Sequence, residues 1–171
     1  AGVHEIGAGV LWATLLFANI LGTSRIFDEE KENRAIDALL IIPGNRSVIY
    51  FGKLGAHFIS LFVVCLFVLP FFCVFFSISF GLFLLPLFAV LALGSLCFTC
   101  VGTLYAVVSD NLRMRELLLP VLLVPMLMPA LISSVEATKH VLSNRYNDVF
   151  WTHIEMLAIF ATIFISVSHM L

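Results

Sequence analysis

Residues 54–109 read LGAHFISLFVVCLFVLPFFCVFFSISFGLFLLPLFAVLALGSLCFTCVGTLYAVVS, 56 consecutive positions without an Asp, Glu, Lys or Arg. One bilayer crossing needs roughly 20 apolar residues. The stretch therefore holds two spans joined by a tight turn. That turn falls at Ser77-Ile78-Ser79-Phe80-Gly81, the one polar and glycine-bearing point near its middle. Two more charge-free runs, Ile6–Ser24 and Leu117–Val135, and a final run carrying only Glu155 after Asp148, complete the pattern. The chain is thus expected to be an all-α polytopic membrane protein with five spans, at about 6–24, 54–79, 82–108, 117–135 and 150–171, in a single transmembrane domain.

Composition excludes the other classes. Of the 171 residues 61% are hydrophobic and 12% charged, so too little polar surface is available to cover a soluble globule of this size. The same balance excludes disorder. Nine basic against eleven acidic residues make no basic face, so nucleic acid is not a partner and the lipid bilayer is.

Basic residues set the orientation. Seven of the nine lie in 25–53 and 109–116, which share one side of a five-span chain; only Lys139 and Arg145, in a loop at 136–149, lie on the other. The first side is read as cytoplasmic, with the C-terminus inside. The N-terminus would then lie outside, and no basic leader precedes the first span. The expectation is a chain lacking an upstream segment with one further span, six in the full-length protein.

Half of the charged residues, ten of twenty, fall in 25–53, RIFDEEKENRAIDALLIIPGNRSVIYFGK. Residues 27–42 read as a helix. Asp28, Glu29 and Glu30 would sit at its N-terminus, where carboxylates suit the dipole. Glu30 and Arg34 form an i,i+4 pair. Ile36, Leu39 and Leu40 make an apolar stripe, and Pro43-Gly44-Asn45 ends the helix. This segment is read either as a solvated cytoplasmic loop or as a surface helix that docks a partner.

The order Arg25-Ile26-Phe27, acidic cluster, Asp37-Ala38-Leu39-Leu40-Ile41-Ile42-Pro43, then Lys53-Leu54-Gly55-Ala56-His57-Phe58 resembles the membrane subunits of ABC-2-class transporters. With Gly9-Val10-Leu11-Trp12 and Leu123-Val124-Pro125-Met126-Leu127-Met128-Pro129, it is most similar to the CcmB, or heme-exporter B, family. The resemblance runs from about residue 8 to the end. One departure is Arg34, where that family usually has glycine.

The resemblance implies an ABC-2-type permease bundle whose coupling segment, with Arg25, Phe27, Glu30, Arg34, Asp37, Leu40, Pro43 and Lys53, contacts a separate ABC ATPase. It further implies a non-catalytic homodimeric subunit acting in heme delivery for cytochrome c-type biogenesis. Its partners would be the maturation system's other membrane subunits and a heme chaperone, in a bacterial inner membrane or, as the alternative, an organellar one. ATP would bind the partner, consistent with the lack of a G-x-x-x-x-G-K-[ST] loop here. Heme is a possible substrate, and the resemblance leaves open whether it crosses this subunit. A permease for a lipid, polysaccharide or drug is the alternative within the class.

Several residues inside the spans carry competing readings. His57, one turn after Lys53, is either an interhelical hydrogen-bonding group or a weak candidate ligand for heme. Cys97 and Cys100 form a C-x-x-C, read as inert thiols in an apolar span rather than as a redox dithiol. Ala92, Ser95, Thr99, Gly102 and Ala106 make a small-residue stripe for helix packing, within the chain or between subunits. Pro120, Pro125 and Pro129 mark a kinked helix, either shaping the bundle or moving as a broken helix. His140, in the outer loop, and His153 with Glu155, beside Trp151, fit an outer interface rather than a metal site.

Overall fold

The helix Leu84–Val108 is the axis of the molecule. In this computed structural model, which describes residues 2–32, 46–76, 84–108 and 115–170, it is the third of five helices. We number them α1 (Val3–Glu32), α2 (Arg46–Phe75), α3 (Leu84–Val108), α4 (Arg115–Leu142) and α5 (Asp148–Met170). All five are long and apolar enough to cross a membrane, and no strand occurs among the described residues. The protein is an all-helical, polytopic membrane protein.

α3 packs against each of the other four, which follow one another around it in the order α2, α1, α4, α5, with only a slight contact closing α5 back to α2. Its sequence explains the central place. Gly94, Ser95, Thr99, Gly102 and Ala106 are all buried, and such small side chains let neighbouring backbones approach closely. More than half of the α3 span, 56%, is buried in the bundle, against 22% of the α5 span.

Trp12 of α1 lies over Gly94, and Thr23 of α1 lies over Gly102. The two contacts run in the same order along both helices, so α1 and α3 are parallel. The core between them includes Trp12 edge-on to Phe98, ring centroids 5.5 Å apart. Such edge-to-face pairs add to simple area burial.

Two boundaries differ from the sequence reading. α1 runs unbroken to Glu32, so Asp28, Glu29 and Glu30 lie in its last turns and not at the start of a new helix. No proline interrupts this stretch, and its one glycine after Gly9, Gly22, is tolerated within the helix. Residues 33–45, which hold Arg34, Asp37, Leu40 and Pro43 and the remainder of the expected 27–42 helix, lie outside the described residues, as does the expected turn at 77–81.

α4 likewise extends past Val135 to Leu142, so most of the expected outer loop is helix. Lys139 donates to Glu136 Oε1 at 2.7 Å within this extension. The end is a Schellman cap: Asn144 has φ 51°, its N–H bonds Val141 O at 3.0 Å, and the Arg145 N–H bonds His140 O at 2.9 Å. Three residues, 145–147, then lead into α5. α4 continues as one helix through Pro120, Pro125 and Pro129.

Candidate functional site

Four polar side chains from three helices meet where α1, α2 and α3 touch. Asn19 and Thr23 come from successive turns of α1, His57 from α2 and Thr103 from α3, and none is more than 2% exposed. His57 Nε2 lies 3.5 Å from Thr23 Oγ1, and its Nδ1 lies 3.4 Å from Thr103 Oγ1. Both contacts are at the long limit for hydrogen bonds.

The proton inventory sets their direction. Thr23 already donates its hydroxyl hydrogen to Asn19 O at 2.7 Å, so it can only accept from the imidazole. Nε2 is therefore a protonated nitrogen, and in the neutral ring Nδ1 is the acceptor that faces Thr103.

Glycines make room for the node. A Cβ on Gly102 would stand 2.7 Å from Thr23 Oγ1 and 3.3 Å from both Asn19 Nδ2 and His57 Cε1. A Cβ on Gly22 would touch His57 Nε2 at 3.4 Å. Asn19 is the anomaly. Both its amide nitrogen and its carbonyl oxygen are buried without a hydrogen-bond partner. An unsatisfied buried amide costs about 1–3 kcal/mol.

Each ring nitrogen of His57 faces a hydroxyl, and its Cε1 faces Gly102. The histidine ties three helices together. Thr99 bonds carbonyls of its own helix, at Ser95 and Leu96, and Ser95 that of Ala92. With Gly102 they face inward, so this part of the small-residue stripe packs within the chain.

A second junction lies toward the other end of α1. Trp12 Nε1 donates to Thr138 Oγ1 of α4 at 2.8 Å, and Thr138 donates to Ser134 O at 2.8 Å. A third tie joins Tyr50 of α2 to Cys100 O of α3 at 3.4 Å, while Ser168 of α5 donates to Tyr50 Oη at 2.7 Å.

Cys97 and Cys100 are free thiols with no exposed surface, and Cys97 Sγ donates to Leu157 O at 3.2 Å. His140 and His153 stack across the α4–α5 hairpin with ring centroids 6.5 Å apart. Among the described residues no group of three or more His, Cys, Asp or Glu side chains is placed to hold a metal ion. Of the expected coupling residues, Arg25 is exposed at the emerging end of α1 and Lys53 is partly buried on α2; Phe27 and Glu30 are placed on the α1 backbone.

Sequence reasoning singled out His57 and Gly102 but missed Asn19, Thr23 and Thr103. The signal was present: Asn19 is the one carboxamide between Ile6 and Ser24, and Asn19/Thr23 and Thr99/Thr103 each repeat at i,i+4.

A family profile described as "CcmB protein" matches residues 1–170. Heme exporter protein B of Rhodobacter capsulatus is 30% identical over 135 residues, covering 79% of this chain and 62% of that relative. The chain thus spans less than two thirds of the length of this curated relative. No solved structure matches it. A profile match that takes in all but the last residue means that the chain belongs to the CcmB protein family.

Proposed function

We propose that this chain is the membrane subunit of a heme-export ABC transporter serving cytochrome c-type biogenesis, a homodimeric permease in a bacterial inner membrane that itself performs no catalysis. The observation carrying this is the identity to heme exporter protein B over 135 residues. An ABC ATPase docks on the segment from Arg25 to Lys53, and the other maturation membrane subunits and a heme chaperone complete the complex. ATP stays on the ATPase, and heme is the substrate the system serves.

α1 supplies the mechanical link. It continues as one helix from the bundle to Glu32, through the acidic residues 28–30. From Trp12 to Glu32 is 20 residues, about 30 Å of helix at 1.5 Å per residue. Its firm attachment is the 2.8 Å bond of Trp12 to Thr138, while at the polar node it has one 3.5 Å contact, from Thr23 to His57, and the unused amide of Asn19. A push at the Glu32 end therefore pivots α1 about Trp12 and slides Asn19 and Thr23 across His57 and Gly102.

The test separates docking from transmission. Reversing charge at Asp28, Glu29 and Glu30 is expected to abolish co-purification of the ATPase. Placing glycine at Leu21 and Ser24, on α1 before the docking segment, is expected to leave co-purification intact and to stop cytochrome c maturation. ATPase binding unchanged by the charge reversal overturns docking here, and full maturation with the glycine pair overturns the lever.

A further inference from the structure

The ring of helices around α3 has one weak join. α5 meets α2 only slightly, whereas every other neighbouring pair in the ring packs closely. The flank of α3 shows the gap. Leu85 and Ala89 are exposed, and Ala92 and Leu96 are partly so, at steps of four, three and four. Cys100, four residues further along that stripe, is fully buried. There a hydroxyl closes the seam. Ser168 of α5 donates to Tyr50 Oη of α2 at 2.7 Å, and Tyr50 donates to Cys100 O of α3 at 3.4 Å. One oxygen fastens three helices.

Ser168 is an exception on its own helix. Thr152, Thr162 and Ser166 each donate to the carbonyl four residues back, at 2.7–2.9 Å. Such back-bonding is a ready option for any helical Ser or Thr. Ser168 reaches across to α2 instead, although the carbonyl of Phe164 stands four residues behind it. Releasing Tyr50 therefore exchanges one hydrogen bond for another and leaves no buried hydroxyl unsatisfied. A fastening with two such partners closes the seam at short range and opens at little cost.

Its place in the chain says what could open it. α2 begins at Arg46, and Tyr50 is four residues on, about one turn into the helix and within the segment from Arg25 to Lys53. The residues between Glu32 and Arg46 join α1 to α2. A force applied to them acts on the end of α1 and on the first turn of α2 together.

We infer that Tyr50 is a positioning residue for the transport cycle: its bond to Ser168 straps α5 to α2 at rest, and a pull on the start of α2 releases it, so that the α2–α5 seam parts over α3. The inference rests on the reading that an ATPase docks on the segment from Arg25 to Lys53, and it gives that motion a second outlet beside the pivot of α1.

The test locks the seam. Cysteine replaces both Tyr50 and Ser168 in the full-length chain, expressed in membranes with the whole maturation complex, and a short bis-maleimide carrying a cleavable disulfide joins the two. The four native thiols are buried, and the parent chain given the same reagent and reductant is the control. The joined form should capture the ATPase as the parent does and lose at least tenfold in cytochrome c maturation. Cleaving the reagent should restore maturation to the level of the unjoined pair. Tyr50→Phe and Ser168→Ala remove the strap without locking it. Each should keep maturation within threefold and raise the ATP hydrolysed per cytochrome matured at least threefold, because the seam no longer waits for the pull. Maturation indifferent to the joining, or a loss that cleavage does not reverse, overturns the inference. So does a loss beyond tenfold in both Tyr50→Phe and Ser168→Ala, which makes the bond a static tie. ATPase capture separates the two readings: capture with maturation indifferent to the joining overturns the strap alone, and a parent chain that captures no ATPase overturns the docking reading.

Discussion

Trp12 of α1 and Thr138 of α4 are 126 positions apart in sequence and share a 2.8 Å hydrogen bond, made possible by the missing side chain of Gly94 on the helix beside them. The indole is fully buried, and its N–H would be left unsatisfied without the threonine. One glycine thus fixes both the approach of α1 to the central helix and the anchoring of α1 to α4.

Gly94→Ala is the direct test of that dependence. The added Cβ would meet Trp12 Cη2 and Cζ3 and stand 2.7 Å from Ser134 Oγ. Either α1 retreats or the indole turns and loses Thr138. Overpacking of this kind costs about 1–3 kcal/mol, and losing the hydrogen bond adds about 1 kcal/mol. Thermal unfolding in detergent should show a clear fall in midpoint. Gly9→Ala, inside α1 and with nothing within 4 Å of the new Cβ, should hold or raise it.

The fold was legible because lipid imposes one rule on every span. The charge-free runs counted five spans, and five helices long and apolar enough to cross a membrane occur among the described residues. What was not legible depended on which side chains face each other. Composition marks Asn19 as polar in an apolar run but cannot say that α2 delivers His57 beside it. The end of α4 was missed because Glu136 and Lys139 resemble a loop in charge, although they pair along a helix. The Ser143-Asn144 cap that stops it is local chemistry, readable only once the helix is followed that far.

That cap carries its own prediction. Asn144 stands in the left-handed region, where asparagine is tolerated and a β-branched residue is not. Asn144→Gly should be neutral or slightly stabilising. Asn144→Val should cost about 1–2 kcal/mol from the strained φ. The comparison is read as the difference in unfolding midpoint between the two variants. Equal midpoints would contradict the assigned turn.

Replacing both Cys97 and Cys100 by Ala tests whether the C-x-x-C has a chemical role. The thiols are enclosed, and Cys97 is engaged with the Leu157 carbonyl of α5. Deleting two buried sulfur atoms leaves small voids and should lower stability by about 1–2 kcal/mol. Cytochrome c maturation per folded molecule should stay within twofold of the parent chain. A loss beyond tenfold with protein amount unchanged would establish a thiol function that this packing does not suggest.

The polar node separates stability from movement. Asn19→Leu replaces an unpartnered buried amide by an apolar group of nearly equal size, so stability should hold or rise by up to about 2 kcal/mol. If the amide serves the pivoted position of α1, maturation activity should fall at least tenfold in the same variant, because the alternative state loses its hydrogen bonds while the resting state loses none. Gly102→Ala acts oppositely: its Cβ pushes on Thr23 Oγ1 at 2.7 Å, loosening the resting contact and lowering the unfolding midpoint. Unfolding midpoint and maturation activity measured side by side distinguish the cases. A more stable but inactive Asn19→Leu identifies a moving contact between α1, His57 and Thr103, whereas full activity in that variant makes the node a static tie and removes the pivot from the mechanism.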